Sequence, residues 1–193
     1  VNGFRMDVIS LISKDPDFKD FPKDRFGDLS YYANGPKVHD YLQEMNAKVL
    51  SQYDCMTVGE AFGVNANDAH LYVGQERNEL NMIYHFDHAV PRDEHCFVNP
   101  KPEFSLVELK EIFNKWDKSL SGKGWNTVYF GNHDNPRMVS RFGDIENYHQ
   151  ESAKMLATLL LTLPGTPFLY QGDEIGMTNN VFQTIDEFDD LQV

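Results

Sequence analysis

Residues 3–9 read GFRMDVI, an apolar, strand-like run interrupted by Arg5 and Asp7. Successive side chains of a strand point to opposite faces, so Arg5 and Asp7 share one face and Phe4, Met6 and Val8 the other. A buried charge is costly unless it is paired or does chemistry. Two readings are open at this point: an edge strand carrying a surface ion pair, or a charged face turned toward a pocket.

Working outward, four more strand-like runs follow. Cys55–Val58 leads into GEAFG, residues 80–86 read LNMIYHF with an alternating pattern, Asn126–Phe130 leads into GNHDNPR, and Thr166–Tyr170 leads into QGDEIG. Helical patterns separate them. One helix is expected to begin at Pro36, a residue suited to the first helical position, with Val38, Tyr41, Leu42, Met45 and Val49 on one face. A short helix is expected around DAHLYVG (68–74). Ser105 and Glu108 form a capping box ahead of an apolar side made of Leu106, Leu109, Ile112, Phe113, Trp116 and Leu120. Residues 148–163 form a strongly apolar helix stopped by Pro164-Gly165. Strands alternating with helices predict an α/β fold with a parallel sheet. No internal repeat or linker divides the chain into two domains.

Composition narrows the function classes. The 193 residues are 41% hydrophobic and 13% aromatic with a net charge of -13, enough apolar material for a core. Lys and Arg are scattered without a basic stripe, which argues against nucleic acid and anionic membranes as partners. Cys55 and Cys96 lie far apart without a CxxC pattern and read as reduced, buried residues. No apolar run reaches the length of a membrane span.

Three carboxylates stand at the C-terminal ends of the expected strands: Asp7, Glu60 and Asp134. Barrel enzymes collect their catalytic groups at that end, because the βα loops converge there. One βα unit of such a barrel takes about 31 residues. The intervals of 53 and 74 residues between the three acids therefore place them on strands n, n+1 and n+3, allowing for a long loop and an insertion. Five strands do not close an eight-stranded barrel, so the expectation is a truncated barrel or an open sheet.

The blocks GFRMDVI, TVGEAFG, YFGNHDNPR and GTPFLYQGDEIGM, in this order, resemble the α-amylase superfamily of retaining α-glycoside hydrolases (glycoside hydrolase family 13). Within it they resemble the branch of oligo-1,6-glucosidase, dextran glucosidase and trehalose-6-phosphate hydrolase, as does LNMIYHFDH. The resemblance implies a parallel (β/α)8 barrel of which residues 1–193 cover strands 4 to 8. The first three strands, an inserted small domain, a C-terminal β-domain and the natural N-terminus are then expected to be absent. It further implies that Asp7 is the nucleophile, Glu60 the general acid and base, and Asp134 the group that binds sugar hydroxyls and stabilises the oxocarbenium-like transition state. Arg5, His133 and Arg137 are implied as substrate-site residues, with Arg5 orienting Asp7. No cofactor and no metal are implied, the substrate is an oligosaccharide, and the compartment is cytoplasmic. Under this reading the charged face of GFRMDVI lines a barrel mouth. Val8, directly after the nucleophile, resembles the α-1,6-cleaving members, whereas Asn135 and Ala61 depart from the commoner residues and bear on subfamily. The 193 residues alone are expected to hydrolyse negligibly.

Several residues have competing readings. Phe62, Tyr84, Phe86 and Phe130 suit core packing better than sugar stacking. His85, His88 and His95 match no zinc spacing. The acidic loop from Asp15 to Asp28 reads as solvated surface, and Asp173 and Glu174 as pocket wall or loop caps. A transglycosylase or sucrose isomerase would share the three acids. A non-catalytic barrel acting as an interaction module is the rival from another class, and retention of all three acids argues against it.

Overall fold

The computed structural model describes residues 1–17, 19–20, 29–89, 104–180 and 182–187. Phe18 and residues 21–28 of the acidic loop, Pro91, His95, Cys96, Pro100 and Pro102 lie outside the described residues. The chain divides into two compact units: residues 1–86, 110–127 and 164–166, and residues 87–109, 128–163 and 167–193.

The first unit is built on a three-stranded parallel sheet in the order β1 (Gly3–Met6), β2 (Met56–Glu60), β3 (Met82–Tyr84). The register pairs Arg5 with Val58 and Glu60 with Tyr84, so the strands end together at the acidic positions. Helix α1 (Val38–Lys48) and the short α2 (Ala69–Val73) connect them. Strand β3 is not alternating: Met82 and Ile83 are both buried, as expected where both faces of a parallel sheet are covered. The core joins Val38 and Leu42 of α1, Tyr72 and Val73 of α2, Ile83 of β3, and Trp116 and Leu120 of α3 (Leu106–Leu120). Trp116 is fully buried and its ring stacks on His85 at 4.0 Å and 9°. Truncating such an aromatic costs about 3–5 kcal/mol.

Two details of α1 differ from the sequence reading. The helix starts at Val38, because Pro36 lies in a turn closed by the Val38 amide on the Gly35 carbonyl at 3.1 Å. Gly35 itself is pressed so closely on Ser13 that a Cβ there would overlap the Ser13 carbonyl. Tyr41 and Val49 are exposed rather than buried, and His39 takes the inward place, edge-on to Tyr72 at 4.8 Å.

In the second unit, Phe130 and Phe142 pack edge to face at 5.7 Å, with Phe104 against Phe142 at 5.0 Å. Helix α4 (Met138–Phe142), absent from the sequence reading, packs on α5 (His149–Thr162). The Ser105 hydroxyl accepts the Glu108 amide at 3.3 Å, the expected cap of α3, although Leu106 is exposed.

The last two strands are shorter than expected: β4 spans Thr127–Val128 and β5 Thr166–Pro167. The Thr166 amide donates to the Asn126 carbonyl and the Phe168 amide to that of Val128. The bonds advance in step along both segments, as in a parallel pair. Pro167 contributes no N–H and limits the ladder.

Candidate active site

Strand β1 stops at Met6, and Asp7 begins a turn. Val8 then takes a left-handed conformation, φ 33° and ψ 43°, which is strained for a β-branched residue. Its carbonyl accepts the Leu11 amide at 2.9 Å, closing the short 3-10 turn Ile9–Leu11. The buried Ser10 hydroxyl donates to the Phe62 carbonyl at 2.6 Å, tying the segment after β1 to the segment after β2. Gly59 permits this packing: a Cβ there would stand 2.7 Å from Ile9 and 2.6 Å from Leu80.

Arg5 joins the two carboxylates of this unit. Its Nη1 donates to Asp7 Oδ1, and its Nη2 lies 2.8 Å from Glu60 Oε1. The other Glu60 oxygen, Oε2, accepts the Val8 amide at 2.9 Å. Asp7 is open, its side chain 75% exposed, while that of Glu60 is only 8% exposed. The guanidinium fork suits this double role, because it presents several donors in a fixed plane. Tyr84, opposite Glu60 in register, has its phenol pushed well above the usual range by burial, with Arg5 opposing and Glu60 adding to the shift.

His133, Asp134 and Arg137 belong to the second unit. His133 Nε2 lies 3.3 Å from Asp134 Oδ2, and both side chains are open. The Asp134 amide donates to Asn132 Oδ1 at 2.9 Å, which shapes the turn carrying the acid. Arg137 is more committed. Its Nη1 donates to the Gln171 carbonyl, its guanidinium lies over the Tyr170 ring at 4.8 Å, and its amide donates to Asn179 Oδ1 at 2.7 Å.

The QGDE loop is held from within as well. Asp173 Oδ2 accepts the Tyr170 amide at 2.9 Å and Glu174 Oε2 the Gly172 amide at 2.8 Å. Burial pushes the Asp173 carboxyl above its ordinary range, against the Tyr170 amide and Arg137, which lower it. Of the two readings of these acids, loop capping is the one with observed contacts.

His85 and His88 have structural partners, the first stacked on Trp116. His88 Nε2 donates to the Tyr129 carbonyl at 2.6 Å, and burial holds its pKa down at about 4. Among the described residues no three metal-ligating side chains come together. Of the four aromatics read as core, Phe130 is fully buried, while Phe62, Tyr84 and Phe86 are half-buried and Phe62 meets Phe86 edge to face at 5.8 Å. One participant escaped the sequence reading, the Val8 amide, and only the place of Val8 directly after Asp7 could have flagged it; Tyr84, weighed there as a core or sugar-stacking aromatic, lies opposite Glu60 in register.

The family described as "Alpha amylase, catalytic domain" matches residues 1–192. An oligo-1,6-glucosidase of Parageobacillus thermoglucosidasius is 50% identical over 197 residues, taking in 100% of this chain and 35% of that protein. A trehalose-6-phosphate hydrolase of Bacillus subtilis is 44% identical over 197 residues, covering 100% of this chain and 34% of that protein. An isomaltulose synthase of Erwinia rhapontici, solved in complex with its natural substrate sucrose, superposes with a TM-score of 0.91. It is 41% identical, and the match covers 98% of this chain and 34% of the other. The chain thus spans about a third of the length of the curated relatives it matches. No helix among the described residues is long and apolar enough to cross a membrane.

Proposed function

The chain belongs to the alpha-amylase family of catalytic domains, part of a parallel (β/α)8 barrel, and from that premise we propose that the whole protein is a retaining α-glucosidase of short oligosaccharides. Residues 1–193 supply barrel strands 4 to 8 in this reading, and the preferred bond is α-1,6. Asp7 attacks the anomeric carbon while Glu60 gives its proton to the glycosidic oxygen, so the aglycone leaves and a glucosyl ester forms on Asp7. Glu60, now a carboxylate, takes a proton from water, which displaces Asp7 and restores the α configuration. Asp134 and His133 hold sugar hydroxyls and favour the oxocarbenium-like transition state. Arg137, whose guanidinium is occupied by Gln171 and Tyr170, shapes the pocket by holding the QGDE loop. The compartment is the cytoplasm, following the family resemblance.

One observation carries this reading: a single guanidinium grips both Asp7 and Glu60. Retaining enzymes need their carboxyls about 5–5.5 Å apart, whereas inverting ones leave a water's width between them. A shared cation supports the closer arrangement. Asp7→Asn in the full-length protein is expected to lower turnover of isomaltose roughly 10³-fold or more, in line with the loss of a nucleophile elsewhere. An active variant would refute the assignment.

The likeness to an isomaltulose synthase favours a second reading, in which the glucosyl ester is transferred to a sugar acceptor rather than to water. A panel of isomaltose, maltose, sucrose, trehalose and trehalose 6-phosphate separates the two. Release of glucose from isomaltose supports hydrolysis, and conversion of sucrose into an isomer without free glucose supports transfer.

A further inference from the structure

At the opposite end of the strands from Glu60, the segments entering β3 and β4 enclose a groove of about 470 Å³ in the first unit. The volume falls in the range of small-molecule sites, roughly 300–1,000 Å³. Asn46, Gln75, Asn78, Glu79, Lys123 and Trp125 line it. Of the two tryptophans in the chain, Trp116 is in the core and Trp125 is 57% exposed. Trp125 is fixed by its indole N–H, which donates to Thr166 Oγ1 at 2.8 Å.

The walls are held by the backbone. The Leu80 amide donates to the Tyr72 carbonyl at 3.0 Å, and the Lys123 and Gly124 amides donate to the Leu120 carbonyl. Asn78 and Gly122 sit in left-handed turns, φ 53° and 69°. Gly124 approaches Val73 so closely that a Cβ would stand 2.6 Å from its side chain. The groove is therefore formed before any ligand arrives, which lowers the entropic cost of binding.

Its chemistry is that of a neutral, polyhydroxylated ligand. Each side-chain amide offers a donor and an acceptor, which matches a hydroxyl that both gives and takes a hydrogen bond. The charge of Glu79 is answered locally by Arg77 at 2.7 Å. Lys123 is then the remaining cation on the lining, too little to select an anion in a chain of net charge -13. A held aromatic ring supplies the flat apolar wall on which the C–H face of a sugar lies. We propose that this groove is a second carbohydrate site, separate from the carboxylates, that takes a short neutral oligosaccharide with one ring on Trp125.

The test titrates the full-length protein with an S-linked isomaltotriose, which is not cleaved, by calorimetry. The catalytic pocket is filled beforehand with 1-deoxynojirimycin. A binding event is expected to remain, to weaken at least tenfold in Trp125→Ala and severalfold in Asn78→Gly, and to persist in Lys123→Met. Asn78→Gly removes the amide while keeping a residue that accepts positive φ, so it guards against loss of fold in the tryptophan variant. No residual event, or full affinity in both the Trp125 and Asn78 variants, would overturn the proposal. So would a tenfold loss in Lys123→Met, since it would mark the ligand as an anion. If the iminosugar fails to bind at all, the catalytic reading fails, and the response of the remaining event to Trp125→Ala still decides the second site.

Discussion

Replacing Arg5 by alanine tests the link on which the candidate active site depends. The Asp7 contact is open, with side-chain exposures of 37% and 75%, and such a pair contributes ~0–1 kcal/mol. The Glu60 contact reaches a carboxylate that is 8% exposed, and leaving it short of a charged donor costs about 1.5–3 kcal/mol. If both contacts serve the transition state, the barrier rises by about 1.5–4 kcal/mol, a loss of roughly 10- to 900-fold in kcat/KM. The assay is hydrolysis of isomaltose by the full-length protein, with the melting temperature recorded alongside. Arg5→Lys is expected to recover no more than about tenfold of the loss, because a point-like ammonium lacks the planar fork that meets two carboxylates at once. An Arg5→Ala enzyme within threefold of wild type, with its fold intact, would refute the reasoning.

Two further predictions concern stability. The His88 imidazole is held neutral by burial, its pKa lowered from 6.5 to about 4. A depressed histidine pKa means that the unfolded chain binds the proton more readily. Its contribution is therefore present above about pH 6.5 and is lost as pH falls toward 4, a total of roughly 3 kcal/mol. Urea midpoints measured from pH 7 to 4 should fall for the parent and fall less steeply for His88→Gln, and parallel curves would refute the role. Glu79→Gln removes the charge of a side chain buried between Arg77 at 2.7 Å and His39 at 2.8 Å. The variant should lose about 1–3 kcal/mol, the cost of weakening charge-assisted bonds to a buried group, because Arg77 is 33% exposed and stays hydrated. An unchanged urea midpoint would show that the network does not bear on stability.

The parts of the fold legible in the sequence were those with a regular signal. Strand β2, the short α2 and the Ser105 cap lie close to their expected places, because apolar runs and capping chemistry are local. Helix α4 escaped notice because all five of its residues are buried, which leaves no polar face to mark a helical period. Pro36 misled because its preference for a first helical turn yielded to the close approach of Gly35 to Ser13, a contact between residues 22 apart. The acidic positions of the site could be read from their strand ends and motif blocks. The second bond of Arg5 and the turned amide of Val8 could not, since each depends on how two strands meet.

Val8 couples two properties that a protein engineer would want to adjust separately. Val8 directly follows the proposed nucleophile, a place that the family resemblance ties to linkage preference, and its amide donates to Glu60 Oε2 at 2.9 Å. The directions of its side chain and amide are both set by one unusual pair of dihedrals. A substitution chosen to widen the range of accepted bonds also changes how readily the backbone keeps that turn, and with it the aim of the carboxylate proposed to handle the proton. Selectivity and rate should therefore move together at this position. Variants that alter linkage choice without slowing the enzyme are better sought at side chains whose backbone plays no part in the chemistry.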